Sequence, residues 1–501
     1  MKCLVSLAGA ALAALLSGCS DGDTEHEFST LAELEGAHVR YGIEEGTFAE
    51  RLAHERFRDC ECMPTSGPIV LFPALEKGQI DAIVFDRPFL EYAAMAHPEF
   101  KLLDESLGLG EVVIGTKLGN DALMARVNAF IRRIREDGTY RRIYDRWVHT
   151  RGAKVPEIPM PEHPDGDLII GVCPEQEPMC FISHGELSGY DVEFARRLAL
   201  YLNRRPVLVS SSYDSLQGAV AAGKYELGIA QFDATPERRQ SMLMSEPYID
   251  TPIGVMVRRA RTGRRSLVDF VCAGVRGTFL EEARWRMVAS GLLVTLEITL
   301  LATILGTLLA FPVWLAISSR NPLVGVIGRG WVQIMQGTPV LVLLMVVFYI
   351  AFARVSISPL IVAILVFAMN FSAYAGEMLK VGVSSVGTGQ REAAFMLGYS
   401  RFRAFSRIVM PQVVLRMLPV YRGQVIMLLK DTSVVGYITI HDLTKISDLI
   451  RARTYEAFFP LISTAILYFL MAKVLEKILI RIGRKIDPVC RRDRGGKAVD
   501  R

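Results

Sequence analysis

The run VASGLLVTLEITLLATILGTLLAFPVWLAI, from Val288 to Ile317, contains a single ionisable residue, Glu297. As a helix rising about 1.5 Å per residue it is long enough to cross the roughly 30 Å of bilayer hydrocarbon, where only a helix or a closed barrel satisfies the backbone. Working downstream, residues 330–353 and 355–376 carry no Asp, Glu, Lys or Arg. Residues 413–429 are weaker because Arg416 and Arg422 interrupt them, and 457–480 complete the set. The reading is an all-α transmembrane domain of about five helices over residues 285–485.

Working upstream, the character changes. The chain has 501 residues, 51% hydrophobic and 22% charged, and its mean hydropathy of +0.28 is too high for a wholly soluble protein of two or three domains. Before residue 285 short β-rich runs (38–42, 81–85, 168–172, 226–230) alternate with helical patterns (122–135, 192–201), which predicts α/β units with largely parallel sheets. Pro156, Pro159, Pro161 and Pro164 crowd a stretch that can hold neither helix nor strand. They divide the soluble part into residues 28–150 and 166–260 with a linker over 151–165.

Residues 1–19 give Lys2, an apolar core too short to span a bilayer, and Leu16-Ser17-Gly18-Cys19, which resembles a bacterial lipobox. Cys19 is then the lipidated residue; the alternative is an ordinary signal peptide followed by a cysteine. A secreted N-terminal part sets the first span running inward, and five spans place the basic tail (486–501, flanked by Arg481 and Arg484) in the cytoplasm, as the excess of Lys and Arg requires. The same count puts residues 380–407 inside and 431–456 outside. The expected location is the bacterial inner membrane, with the soluble part extracytoplasmic.

Little else in the sequence suggests other chemistry. There is no CxxC pair and no Cys/His cluster at zinc spacing, so neither a metal nor a cofactor is expected, and a net charge of +4 gives no reason to expect nucleic acid. Cys60 with Cys62, and Cys173 with Cys180, are either disulfide pairs or free buried thiols. Gly218 to Tyr225 nearly fits a phosphate-binding loop, but Tyr225 stands where the magnesium-binding hydroxyl belongs, and the segment lies outside.

Residues 171–257 carry Gly189-Tyr190-Asp191, Ala222-Gly223-Lys224, Thr235-Pro236-Glu237-Arg238 and Ser245-Glu246-Pro247-Tyr248. This set resembles the first lobe of the periplasmic polar amino-acid-binding proteins. Residues 31–150 resemble the second lobe, through Leu34-Glu35-Gly36, Gly46-Thr47, Leu75-Glu76-Lys77-Gly78, Asp86 and Asp137-Gly138-Thr139-Tyr140. The lobes stand in reverse of the usual order, so the resemblance implies a circularly permuted two-lobed domain whose ordinary termini are bridged by the proline linker. It assigns Arg238 and Thr47 to the ligand's α-carboxylate and Asp86 to its ammonium, with Gly46 beside Thr47 a further ligand-binding candidate. Phe181, Gln231 and Asp233 join the candidate ligand-binding set. Gln231 and Asp233 stand where small or hydroxyl residues are common, and an added carboxylate favours a cationic or strongly polar ligand. Gln176 and Met179 replace the expected aromatics.

In the apolar half, Arg391-Glu392-Ala393-Ala394 followed by Gly398 and Pro411 resembles the cytoplasmic coupling loop of ABC importer permeases. Gln336-Gly337-Thr338-Pro339, Asn370, Tyr374, Glu377 and Lys430-Asp431-Thr432-Ser433 resemble their polar amino-acid branch of the histidine, glutamine and arginine type. The resemblance implies a permease fused to its own substrate-binding domain, working with two copies of a separate ATPase as a homodimer in the bilayer. Glu392, Ala393, Ala394 and Gly398 are the ATPase-coupling residues. Glu297, Glu377 and Arg422, costly in hydrocarbon, face the translocation path or a partner subunit, the alternative for Glu377 and Arg422 being a place at a membrane edge; Glu297, Asn370 and Glu377 are the translocation-path candidates. A ligand-gated channel or a membrane sensor are the rivals, but the sequence offers the first no filter between spans and the second no room for an output domain after Ile480.

Overall fold

The computed structural model describes residues 27–486 apart from 66, 260–270, 273, 353–354, 356, 455 and 457. The expected signal segment with Cys19, and the tail beyond 486, lie outside the described residues.

The soluble half is built on one nine-stranded sheet. Its first lobe in chain order, which is the second of the usual order and is called the first lobe from here on, has parallel β1 (Arg40–Glu44), β2 (Glu61–Thr65) and β3 (Ala82–Asp86), with α1 (Leu31–Gly36), α2 (Phe48–Arg56), α3 (Leu71–Glu76) and α4 (Arg87–Ala96) around them. The long strand β4 (Phe100–Lys117) then leaves this lobe and enters the other. After it come α5 (Asp121–Glu136), α6 (Thr139–Val148), β5 (Asp167–Val172) and the small hairpin β6 (Phe181–Ser183) and β7 (Glu186–Ser188). They are followed by α7 (Tyr190–Tyr201), β8 (Arg205–Ser210), α8 (Tyr213–Ala221), β9 (Leu227–Asp233), α9 (Pro236–Ser241) and β10 (Met242–Met244). Strand β11 (Ile249–Arg258) returns to the first lobe. The order β2-β1-β3-β11-β4-β9-β5-β8, with β10 on β4, makes antiparallel β4 and β11 the two connections between lobes. Their register slips around Gly254, where a bulge loosens the ladder between the lobes.

This is the expected fold class, a two-lobed α/β binding domain in permuted order. Strand β11 departs from the lobe built last in sequence and ends in the lobe built first. Helix α5 forms as its periodicity predicts: Met124, Val127, Phe130, Ile131 and Ile134 fall on one face and bury it. That face, with Ile143 and Trp147 of α6, shares a core with Leu168, Ile170, Phe194 and Leu198, so α5 and α6 pack on the second lobe although they are contiguous with the first. The cysteines named as disulfide candidates are all free thiols.

The apolar half is helical: α10 (Arg284–Ile317), α11 (Pro322–Gly337), α12 (Val340–Val346, extended to Ala351), α13 (Pro359–Ser384), α14 (Thr388–Met396), α15 (Arg401–Ala404), α16 (Met410–Asp431), α17 (Leu443–Thr454) and α18 (Phe458–Ile486). Among the described residues three helices, α10, α13 and α18, are long and apolar enough to cross a membrane, against the five expected; α11 with α12, bent by 107° at Thr338-Pro339, passes only as a pair, as a broken span or a re-entrant loop. The expected second span is therefore two helices, and it begins at Pro322 rather than Gly330. Proline at 339 removes a backbone donor at the bend. Helix α16 covers the expected weak fourth span but is not among the helices apolar enough to cross, since Arg416 and Arg422 interrupt it. The segment 431–456, placed outside by the span count, is mostly helix, in a 3-10 turn (Thr432–Ile438) and α17.

Candidate functional site

Thr235 starts α9 by accepting the Arg238 N–H at 3.4 Å, and Pro236 fixes the first turn. That turn swings the Arg238 guanidinium back over the end of β9. Its Nη1 donates to the Asp233 carbonyl at 3.2 Å, lies 3.9 Å from the Asp233 carboxylate, and the group sits 5.6 Å from the Tyr213 ring. From the other lobe, Gly46 takes φ +72° and Thr47 caps α2, accepting the Glu50 N–H at 3.2 Å. The Thr47 hydroxyl also donates to the Glu44 carbonyl at 2.7 Å, and Glu50 turns back to accept the Gly46 N–H at 2.7 Å. The start of α2 then presents the Phe48 N–H, which donates to Asp233 Oδ2 at 3.1 Å across the cleft.

Thus Arg238, Asp233, Gly46 and Thr47 converge where the lobes meet. Asp86 ends β3 at the start of α4 without capping it, near enough to Asp233 for the two charges to oppose each other. Removal from water pushes Asp233 up to about 6, against the pull of the Phe48 N–H and Arg238. Burial and the Asp233 charge hold Asp86 well above the usual carboxylate range.

Two candidates are placed elsewhere. Gln231, at φ +56°, turns its amide inward to Asp191 at 3.1 and 3.2 Å and to the Tyr248 hydroxyl at 3.3 Å. Phe181 packs edge-on against Trp147 and under Arg453, 4.8 Å from its guanidinium. Phe48 was not singled out because its contribution is a backbone N–H; the Thr-x-x-Glu capping pattern at 47–50 is the signal that points to it.

The binding domain is seated on the helical half. Lys445 of α17 pairs with Glu175, and Arg453 bonds Glu177 through Nε at 2.9 Å and Nη2 at 3.1 Å, Glu282 at 2.7 Å and the Ile182 carbonyl at 2.9 Å. Glu177 also accepts the Tyr92 hydroxyl, from the first lobe, at 2.8 Å. Ile182 packs with Ile446, Leu449 and Ile450. On the other side, Ser215 donates to the Tyr437 carbonyl at 2.8 Å, and Lys224 reaches the Phe348 ring at the end of α12.

Helix α13 runs 26 residues, about 39 Å, and α14 follows it. Glu392 and Ala393 are exposed on α14, Ala394 is buried, and Gly398 at φ +77° terminates the helix. Around them Phe395, Met396, Leu397 and Phe402 stand exposed, the last three with more than three quarters of their surface bare, a patch the sequence reading passed over. Asn370 is buried and donates to the Met335 carbonyl at 2.7 Å, tying α13 to α11; Glu377 accepts from Gln336 at 2.9 Å. Glu297 is exposed on α10 with no hydrogen-bond or ion-pair partner among the described residues.

Residues 168–410 match the bacterial extracellular solute-binding proteins, family 3. The chain is 30% identical over 215 residues to the nopaline transport system permease protein of Agrobacterium fabrum, a match covering 41% of this chain and 89% of that protein. It is 28% identical over 202 residues to a putative glutamine transport system permease protein of Rickettsia typhi, covering 38% of this chain and 93% of that one. Among solved structures, an amino acid ABC transporter crystallised with histidines is 28% identical, with a TM-score of 0.38, covering 44% of this chain and all of that chain.

Proposed function

Since the chain belongs to the amino-acid ABC transporter permeases and carries a solute-binding domain in the same polypeptide, we propose that its two-lobed domain captures a polar amino acid outside the inner membrane and hands it to the helices beneath. In this reading Arg238, Gly46 and Thr47 receive the α-carboxylate and Asp86 the ammonium, so that a zwitterion is gripped from both lobes as the cleft closes. Asp233 is a further cleft residue, and Phe181 and Gln231 support the cleft from behind.

Residues 388–398 then seat a separate cytoplasmic ATPase, with Glu392 as polar anchor and Phe395, Met396 and Leu397 as its apolar contact. The observation that carries this reading is that the binding domain and the bare apolar patch use different elements: the domain is seated on α17, Tyr437 and the end of α12, and the patch stands on α14, which follows the 26-residue helix α13. Two permease chains with two ATPase copies complete the pathway, since the helices of one chain make half of one. Glu297, unpartnered in an apolar helix, then faces the second copy, and Asn370 and Glu377 flank the path. Tethering the binding domain keeps its local concentration high at the helices it serves.

The test is uptake of radiolabelled polar amino acids by membrane vesicles holding the chain and its ATPase. ATP-dependent uptake of a small set of amino acids is expected. It should be lost in Arg238→Ala together with binding, and lost in Met396→Asp with binding intact. Uptake that is independent of ATP, or indifferent to Met396→Asp, would remove the reading.

A further inference from the structure

Each group assigned above to the substrate's carboxylate already meets an acceptor of the chain itself. The Gly46 N–H is held by Glu50, the Thr47 hydroxyl by the Glu44 carbonyl, and Nη1 of Arg238 by the Asp233 carbonyl, with the Asp233 carboxylate in ion-pair range at 3.9 Å. The exposed donor at the start of α2, the Phe48 N–H, is taken by Asp233 Oδ2. Asp233 is 5% exposed and sits at the end of a strand buried along its whole length, so its position is fixed by the sheet and not by a mobile loop. Its carboxylate meets an arginine from its own lobe and a helix N-terminus from the other, the two kinds of donor that receive a free carboxylate.

We infer that Asp233 is a built-in competitor for the substrate's carboxylate, so that an α-amino acid binds by displacing it and a ligand's cation weighs more in recognition than its carboxylate. The inference rests on the cleft reading proposed above. The partner group supports it. The Asp86 carboxylate, assigned to the ammonium, has no hydrogen-bond partner among the described residues and feels the charge of Asp233, whereas the nearby cations, Arg238 and Arg51, act on Asp233. An arriving ammonium relieves that repulsion, whereas an arriving carboxylate must first evict its rival. Discrimination of this kind comes from a repulsive element as much as from an attractive one. The preference of the site is therefore for compounds with a cationic group beyond the α-ammonium, and the cost falls on the carboxylate end.

The comparison that isolates Asp233 is between L-arginine and agmatine, which share a guanidinium and a carbon chain and differ in the α-carboxylate. Equilibrium binding of both, with L-histidine and L-glutamine, is measured on the full-length chain in detergent for wild type, Asp233→Ser and Asp233→Asn. In Asp233→Ser the three amino acids should bind at least tenfold more tightly than in wild type and agmatine no more tightly; Asp233→Asn, which keeps the shape and loses the charge, should move the same way by less. The inference is overturned if Asp233→Ser binds the amino acids no better than wild type, if agmatine gains equally, or if no form binds any of the four. Arg238→Ala in the Asp233→Ser background separates this inference from the reading beneath it. Loss of amino-acid binding there keeps the carboxylate cradle even if Asp233 proves not to compete, and binding that survives removes the cradle and the inference together.

Discussion

Asp191 lies wholly buried in the second lobe, its carboxylate accepting the Tyr248 hydroxyl at 2.7 Å and the Gln231 amide. Burial outweighs those two donors and pushes it up to about 7. An unfolded aspartate titrates near 4, so between about pH 4 and 7 the folded chain holds a proton that the unfolded chain has released. The stabilisation is fully present below the unfolded value and is lost as pH rises through about 7. Asp191→Asn keeps an acceptor for Tyr248 and Gln231 and abolishes the titration. Its melting temperature should therefore match or exceed that of wild type at pH 8 and vary less between pH 5 and 8. Asp233 titrates in the same window, so the difference between the two proteins, not the wild-type slope alone, isolates Asp191. Parallel slopes would mean that Asp191 stays charged. This pairing also explains why Gln231 misled the sequence reading. Its place next to Asp233 in a strand that ends at the cleft suggests a ligand contact, but a positive φ and a carboxylate forty residues away turn it inward, and neither is visible in a local pattern.

Among the elements, α17 differs most from its sequence reading. Residues 431–456 have balanced charges and no long apolar run, which places them outside the membrane and says nothing of their partners; the charges are partly neutralised by the binding domain. Arg453 is buried against Glu177, Glu282 and Phe181, and Lys445 against Glu175. Helices α5 and α7 were legible because their apolar period is carried by their own residues; α17 was not, because its partners lie some 270 residues upstream. Removing one member of a buried pair typically costs about 3–5 kcal/mol, most of it from the charge left behind. Arg453→Ala strands Glu177, which also receives Tyr92 from the first lobe. We expect a lower melting temperature, together with faster amide hydrogen exchange over 177–183 and 443–454. Arg453→Lys should recover only part of the protection, since an ammonium cannot fork across Glu177 and Glu282. Unchanged exchange in Arg453→Ala would show that the remaining contacts, Lys445 with Glu175 and Ile182 with Ile446 and Leu449, hold the seat without it.

At the level of the whole molecule, the reversed order of the lobes was readable from the order of the motifs, whereas the single sheet running through both was not. That continuity depends on β4 extending over 18 residues, through two glycines at 108 and 110 that break its alternation. The permuted order also changes what the proline linker does. In an ordinary tandem of two domains a cut between them lets the halves part. Here a cut within residues 156–162 separates β1–β4, α5 and α6 from everything after them, yet β4 lies between β11 and β9 in the sheet, and Phe130, Ile131 and Trp147 are buried among Leu168, Phe194 and Leu198. Separation would expose that shared core and both faces of the β4 ladder, which sheet pairing and apolar burial strongly oppose. A protease site placed in the linker should therefore give two fragments on a denaturing gel that elute together in size-exclusion chromatography, with amino-acid binding retained. Release of the N-terminal fragment under native conditions would show that the two segments fold apart and that the linker itself holds the lobes together.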